Sequence, residues 1–133
     1  MTSAEKKKIL GAYRWHKHQA ALLSEDLEEQ MTILRSPNLQ DAPKGFSRAD
    51  LADTVARHEE ILGKLNRELR AEERALEVIN AALARMDNEA EVTVLRLRYI
   101  KGLRFDKVAQ EMTYSRSQMF RIHDSALRHF MEE

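Results

Sequence analysis

The chain has 133 residues, 43% of them hydrophobic and 33% charged, and its formal net charge is zero. The apolar share is sufficient for a core and excludes wholesale disorder, while the charged share exceeds the usual quarter and points to long solvated helical faces. Four Gly and two Pro are too few for the turns of a β-sandwich or barrel, and the lack of Cys excludes a disulfide scaffold, a thiolate zinc site and a cysteine nucleophile.

The zero charge is assembled from unequal parts. Residues 1–35 carry six Lys/Arg against five Asp/Glu, residues 36–91 eight against twelve, and residues 92–133 eight against five. An acidic middle and a basic C-terminal part suggest two jobs, one of them involving a polyanion. The opening Met1-Thr-Ser-Ala-Glu-Lys-Lys-Lys8 lacks the apolar core of a signal peptide. No stretch approaches the roughly 18 apolar residues of a membrane span, so a cytoplasmic, soluble protein without a membrane partner is expected.

The first predicted element is a long helix over about 3–35, with Thr2 or Ser3 as cap and Glu5 placed for a capping box. Its apolar row is Ile9, Tyr13, Ala20, Leu23, Leu27 and Leu34, with His16 and Gln30 in the remaining slots. Tyr13 and Trp15 are expected to pack against the next helix. Lys6, Lys7 and Lys8 form a solvated helix start or add phosphate contacts; a cationic start opposes the helix dipole. Ser36 to Ser47 holds both prolines, Pro37 and Pro43, and is the one predicted loop.

After the loop, Leu51, Val55, His58, Leu62, Leu65, Leu69, Glu72, Leu76, Ile79, Leu83 and Met86 alternate steps of four and three without a slip. Nine of these eleven are apolar, which is a coiled-coil seam over residues 48–86. The two long helices form an antiparallel hairpin or pair with another copy of the chain; the pattern fits both. His58 and Glu72 sit on the seam as a buried register device or at its wet edge. His16 and His18, and likewise His123 and His129, do not share a helix face, so no metal site is expected.

Asp87-Asn88 breaks the second helix and Asn88 caps the next, with Glu91 three residues on. Three short helices follow, over about 89–101, 104–112 and 116–131. The domain boundary is placed near Asp87, giving a coiled-coil part (1–87) and a C-terminal part (88–133). The fold class expected is all-α: a long coiled-coil hairpin followed by a three-helix helix-turn-helix module.

Residues 105–124 meet the demands of a helix-turn-helix one by one. Ala109 is the small residue where two short helices cross. Val108, Met112, Tyr114, Met119 and Ile122 have the spacing to face the third helix. Ser115 with Gln118 three later caps the second helix directly after the turn. Thr113 holds the turn position often given to Gly, which predicts mild backbone strain. Such a second helix lays its first residues in the DNA major groove. Arg116, Ser117, Gln118, Phe120 and Arg121 then project outward; Arg grips guanine and Gln adenine bidentately. Lys101, Arg104, Lys107 and Arg128 are placed for phosphates, which position the module without reading sequence.

Two stretches, Leu95-Arg-Leu-Arg-Tyr-Ile-Lys-Gly-Leu-Arg-Phe-Asp-Lys-Val-Ala109 and Tyr114-Ser-Arg-Ser-Gln-Met-Phe-Arg-Ile-His123, followed by Ala126-Leu127, resemble region 4 of sigma-70 factors. Those factors use this helix-turn-helix to bind the −35 promoter element. The whole chain is similar to a phage and prophage family of sigma-region-4-like regulators, the late-operon activators of the ArpU/RinA type and the related group DUF1492. In that group a coiled-coil front half, a loop like Asp41-Ala-Pro-Lys-Gly45 and the tail motif recur together. The resemblance covers roughly residues 30–130 and implies a DNA-binding transcriptional regulator without a core-binding region 2. Arg116, Gln118 and Arg121 match the family's recognition-helix positions, whereas Phe120 is bulkier than most.

The expected function is therefore sequence-specific regulation at a promoter. Double-stranded DNA is the ligand, and the coil supplies dimerisation or a contact with RNA polymerase. The alternatives are a terminase small subunit, which also joins a helix-turn-helix to helical oligomerisation elements, and a coiled-coil adaptor without nucleic acid. No Gly-rich phosphate loop, Ser elbow or HExxH occurs, so a non-enzyme without cofactor is expected.

Overall fold

The computed structural model describes residues 1–34 and 47–132, without the side chains of Ile33 and Leu34. Among the described residues the chain is all-helical. The elements are α1 (Ser3–Leu34), α2 (Arg48–Ala84), α3 (Glu89–Leu95), a π-helical turn (Arg96–Ile100), α4 (Phe105–Met112) and α5 (Arg116–His129). The predicted loop lies outside the described residues except for Ser47.

Short polar side chains start the helices. The Glu5 N–H donates to Thr2 Oγ1 at 3.2 Å while the Thr2 N–H donates to Glu5 Oε2 at 3.0 Å. Ser47 and Asp50 make the same reciprocal pair at 2.8 and 3.2 Å, and the Ser47 hydrogen bonds hold the Asp50 carboxyl below its usual value. Both arrangements satisfy backbone donors that the first turn leaves without helical partners. Asn88 Oδ1 accepts the Glu91 N–H at 3.2 Å.

The helices contribute to two compact units: residues 1–15 with 71–133, and residues 16–70. In the first, Leu10, Tyr13, Ile79, Ala82, Leu83, Leu95, Ala126, Leu127 and Phe130 bury one another. The C-terminal helices thus share their core with the ends of both long helices. Val94, Val108, Ala109 and Met119 form a second cluster, closed by Leu97, Met112, Tyr114, Phe120 and Ile122 among others. The five residues expected to face the third helix all belong to it.

In the second unit α1 and α2 meet at His16 and Glu68, whose Nδ1 and Oε2 are 2.6 Å apart. Among its described apolar residues only Ala20 is buried; Leu51, Val55 and Leu69 are exposed. Two helices alone give each seam residue a single neighbouring helix, whereas α3 and α5 add a second layer over Ile79 and Leu83. On α1 the buried positions include Lys6, Leu10, Tyr13 and Ala20, so Leu10 rather than the half-buried Ile9 takes the inward place. Tyr13 packs as expected. Trp15 does not: it is 61% exposed.

Candidate nucleic-acid interface

The candidate surface is built on α4, α5 and the turn between them. Ala109 lies where α4 meets α5 and is 4% exposed, packed into the second cluster with Val94, Val108 and Met119. α4 ends at Thr113, whose φ of 57° and ψ of 34° are left-handed. That conformation lets the Thr113 N–H reach the Gln110 carbonyl at 3.1 Å and the Tyr114 N–H reach that of Ala109 at 3.0 Å. Carbonyls of the last turn are thereby satisfied, at a steric cost that Thr bears and Gly would not. Ser115 then starts α5, its Oγ accepting the Gln118 N–H at 3.2 Å.

On α5 the side chains of Arg116, Ser117, Gln118 and Arg121 are exposed, as are Lys101, Arg104, Lys107 and Arg128. Arg116 has a partner within the chain: its Nε lies 3.2 Å from Asp106 Oδ1 on α4. Both groups are largely solvated, so the pair is weak and open to exchange. Phe120 departs from its outward expectation. Its ring is half-buried and lies 5.0 Å from that of Phe105, covering the second cluster, because an aromatic ring gains more from apolar contact than from water.

Behind this surface lies a polar layer without a sequence signal. The Tyr99 hydroxyl and His123 Nε2 are 2.9 Å apart, and the Phe105 ring stands edge-on to the imidazole at 5.1 Å. Arg98 covers the other partner, 4.1 Å from the Phe105 centroid, and donates to the Leu103 carbonyl at 3.0 Å. Burial lowers the His123 pKa; Asp124 works against this, while the charges of Lys7 and Arg98 reinforce it. Burial likewise raises that of Tyr99, with Arg98 opposing. The π-helical turn carries Tyr99 and Arg98 and closes with the Lys101 N–H on the Arg96 carbonyl at 2.9 Å. It is followed by Gly102 at φ +75°, where the Arg14 guanidinium occupies the space a Cβ would take.

Glu91 is the acid placed for a capping box, yet its carboxylate turns inward and is 4% exposed. It accepts from Ser125 Oγ at 2.5 Å and meets His129 Nδ1 at 2.9 Å. Burial opposes its ionisation, but the Ser125 and His129 hydrogen bonds, with the charges of His129 and Arg128, outweigh that and hold its pKa below the usual value. Lys6 is the other surprise. Expected in solvent, it is 7% exposed, and its ammonium donates to the carbonyls of Leu127 and Arg128 at 2.8 and 2.9 Å. These carbonyls lie in the last turn of α5, where helical partners run out and positive charge is favoured. Partners more than a hundred residues away leave no mark in local spacing.

Among the described residues no group of three or more His, Asp or Glu side chains is placed to hold a metal ion, and no helix is long and apolar enough to cross a membrane.

The structure thus defines an all-helical protein whose basic C-terminal helices present a row of exposed polar and cationic side chains on α5. Residues 52–131, from α2 through α5, match the family described as protein of unknown function DUF1492, and the chain belongs to that family. No curated protein and no solved structure matches it.

Proposed function

We propose that the protein is a sequence-specific DNA-binding transcriptional regulator of the phage and prophage type, acting at a promoter. On this reading residues 105–129 are a helix-turn-helix like that of sigma-70 region 4, with α5 as the recognition helix. The two long helices are a coiled-coil hairpin that supplies dimerisation or a contact with RNA polymerase.

One observation carries the reading. The small residue at the α4–α5 crossing, the left-handed turn and the Ser115 cap together leave Arg116, Ser117, Gln118 and Arg121 in solvent on the first turns of α5. That is the arrangement by which a helix offers its N-terminal side chains to base edges. Phe120 supports α5 from behind and reads no base. The Arg116–Asp106 pair is exchanged for DNA on binding.

A genome-wide binding profile followed by titration of the mapped operator tests this. Arg116→Ala and Arg121→Ala should each cost about 1–3 kcal/mol of specific binding with the melting temperature unchanged. Lys107→Ala should weaken all sequences alike and flatten the salt dependence. Unchanged operator affinity in Arg116→Ala would overturn the assignment. A many-subunit ring in solution would favour a terminase small subunit, and the lack of any salt-sensitive retention on heparin or DNA would favour an adaptor.

A further inference from the structure

Beside the outward face of α5 lies a cleft of about 840 Å³, bounded on its other side by the start of α1. Lys6, Lys7, Arg121, Asp124, Arg128 and Glu132 supply its charged lining. On α5, Arg121, Asp124 and Arg128 follow at steps of three and four and so share one stripe. Ser117, an exposed residue of the first turn, begins the same stripe. The cleft is therefore the continuation of the candidate reading surface along α5.

We propose that this cleft is a second phosphate-binding site, and that it takes the phosphodiester backbone of the duplex that α5 enters. The inference rests on the DNA-binding reading and extends it to the start of α1, which the helix-turn-helix does not include. Three observations support it. First, Lys6 is bound to the Leu127 and Arg128 carbonyls, so the first turn of α1 is anchored against the end of α5. Lys7, next in sequence, is consequently held beside α5 rather than on a loose chain end, and its charge is felt at His123. An anchored cation loses less freedom on meeting a phosphate than a free one does.

Second, Lys7 and Arg128 are exposed and face one opening from two helices, next to Arg121, which continues the base-reading row. Arg offers a forked donor set and Lys a point charge, and both are suited to phosphate oxygens. Third, the spacing suits a duplex. Arg116 and Arg128 are twelve residues apart, roughly 18 Å along a helix axis. Base contacts at the start of α5 and backbone contacts at its far end then fall on different parts of one groove wall. Asp124 and Glu132 oppose these cations, and Asp124 lies between Arg121 and Arg128. Asp124 thereby weakens the site.

The test uses the full chain and a short fluorescent duplex of random sequence, titrated over a range of salt. Binding of this kind is electrostatic, and log affinity falls with log salt by about one unit of slope per phosphate neutralised. Lys7→Ala and Arg128→Ala should each lower that slope by about one, with the melting temperature held. Asp124→Asn should move the other way, tightening binding by roughly 1.5- to 5-fold. Lys64→Ala, in the second compact unit, should change nothing. If Lys107→Ala lowers the slope while Lys7→Ala and Asp124→Asn leave it alone, the cleft assignment fails and the DNA reading stands. If the unaltered protein shows no salt-sensitive binding to the duplex, the DNA reading fails and this one with it. Phosphate or pyrophosphate that competes with the duplex at low concentration would show instead that the cleft serves a free anion, which also overturns the assignment.

Discussion

Glu91 on α3 and His129 at the end of α5 face each other with 2.9 Å between Oε2 and Nδ1, and Ser125 reaches the same carboxylate at 2.5 Å. One buried anion thus joins the first and last C-terminal helices. Burying a carboxylate is costly unless its lone pairs are matched, and here two donors on successive turns of α5 match them. Glu91→Gln keeps the shape but removes the charge, leaving weaker hydrogen bonds and one amide donor without an evident acceptor. A loss of about 1–3 kcal/mol is expected in urea unfolding.

The same two helices make stability fall with acid in two separate windows. The pKa of His123 is depressed, mainly by burial, so the unfolded chain takes up its proton first. Its contribution is present above the ordinary value of 6.5 and is lost as pH falls through the lower folded value. Glu91 is also depressed and acts later, below its ordinary 4.5. Melting temperature should therefore decline from about pH 6.5 downward. In His123→Gln the decline should begin only in the carboxylate range. An unchanged onset would mean that some other group sets the first window.

Thr113 is a β-branched residue in left-handed backbone, with φ 57°. Replacing it with Gly removes the clash of Cβ with the backbone but gives the unfolded chain more freedom. The first effect is worth roughly 1–2 kcal/mol and the second less, so Thr113→Gly should stabilise by about 0.5–1 kcal/mol. Thermal unfolding is the measurement, and a destabilised variant would show that the Thr113 hydroxyl, 2.6 Å from the Met112 carbonyl, matters more than the strain.

Ala109→Leu tests the crossing itself. Three extra carbons between α4 and α5 must push the helices apart, at a cost of about 1–3 kcal/mol or more. Protection of the α4 and α5 amides against hydrogen exchange should drop, while amides of residues 16–30 keep theirs. Native-like protection throughout would mean that the crossing is looser than Ala109, at 4% exposure, indicates.

Much of the fold was legible because its signals are local. The helix expected over 3–35 is present over Ser3–Leu34, where the described residues stop, that over 48–86 ends at Ala84, and the three C-terminal helices begin within a residue of the expected positions. Periodicity and caps act over three or four residues, and the Thr2, Asn88 and Ser115 caps all form. The apolar residues of 105–124 divide inward and outward as their spacing requires, with Phe120 the exception. A ring at the edge of the stripe can turn either way, and Phe105 decides which.

What tertiary structure alone decided lies in contacts between distant segments. Lys6 belongs by sequence to a charged helix start, yet the unsatisfied carbonyls at the end of α5 make it a buried cap. Glu91 has the position of a capping acid, yet Ser125 and His129 offer it better partners. The heptad row of α2 is uniform in sequence, but only at Ile79 and Leu83 does a further layer of helices bury it completely. Helix formation depends on neighbours along the chain, which a single sequence displays. Burial and charge matching depend on which surfaces meet, and that is settled only when α1, α3 and α5 are brought together.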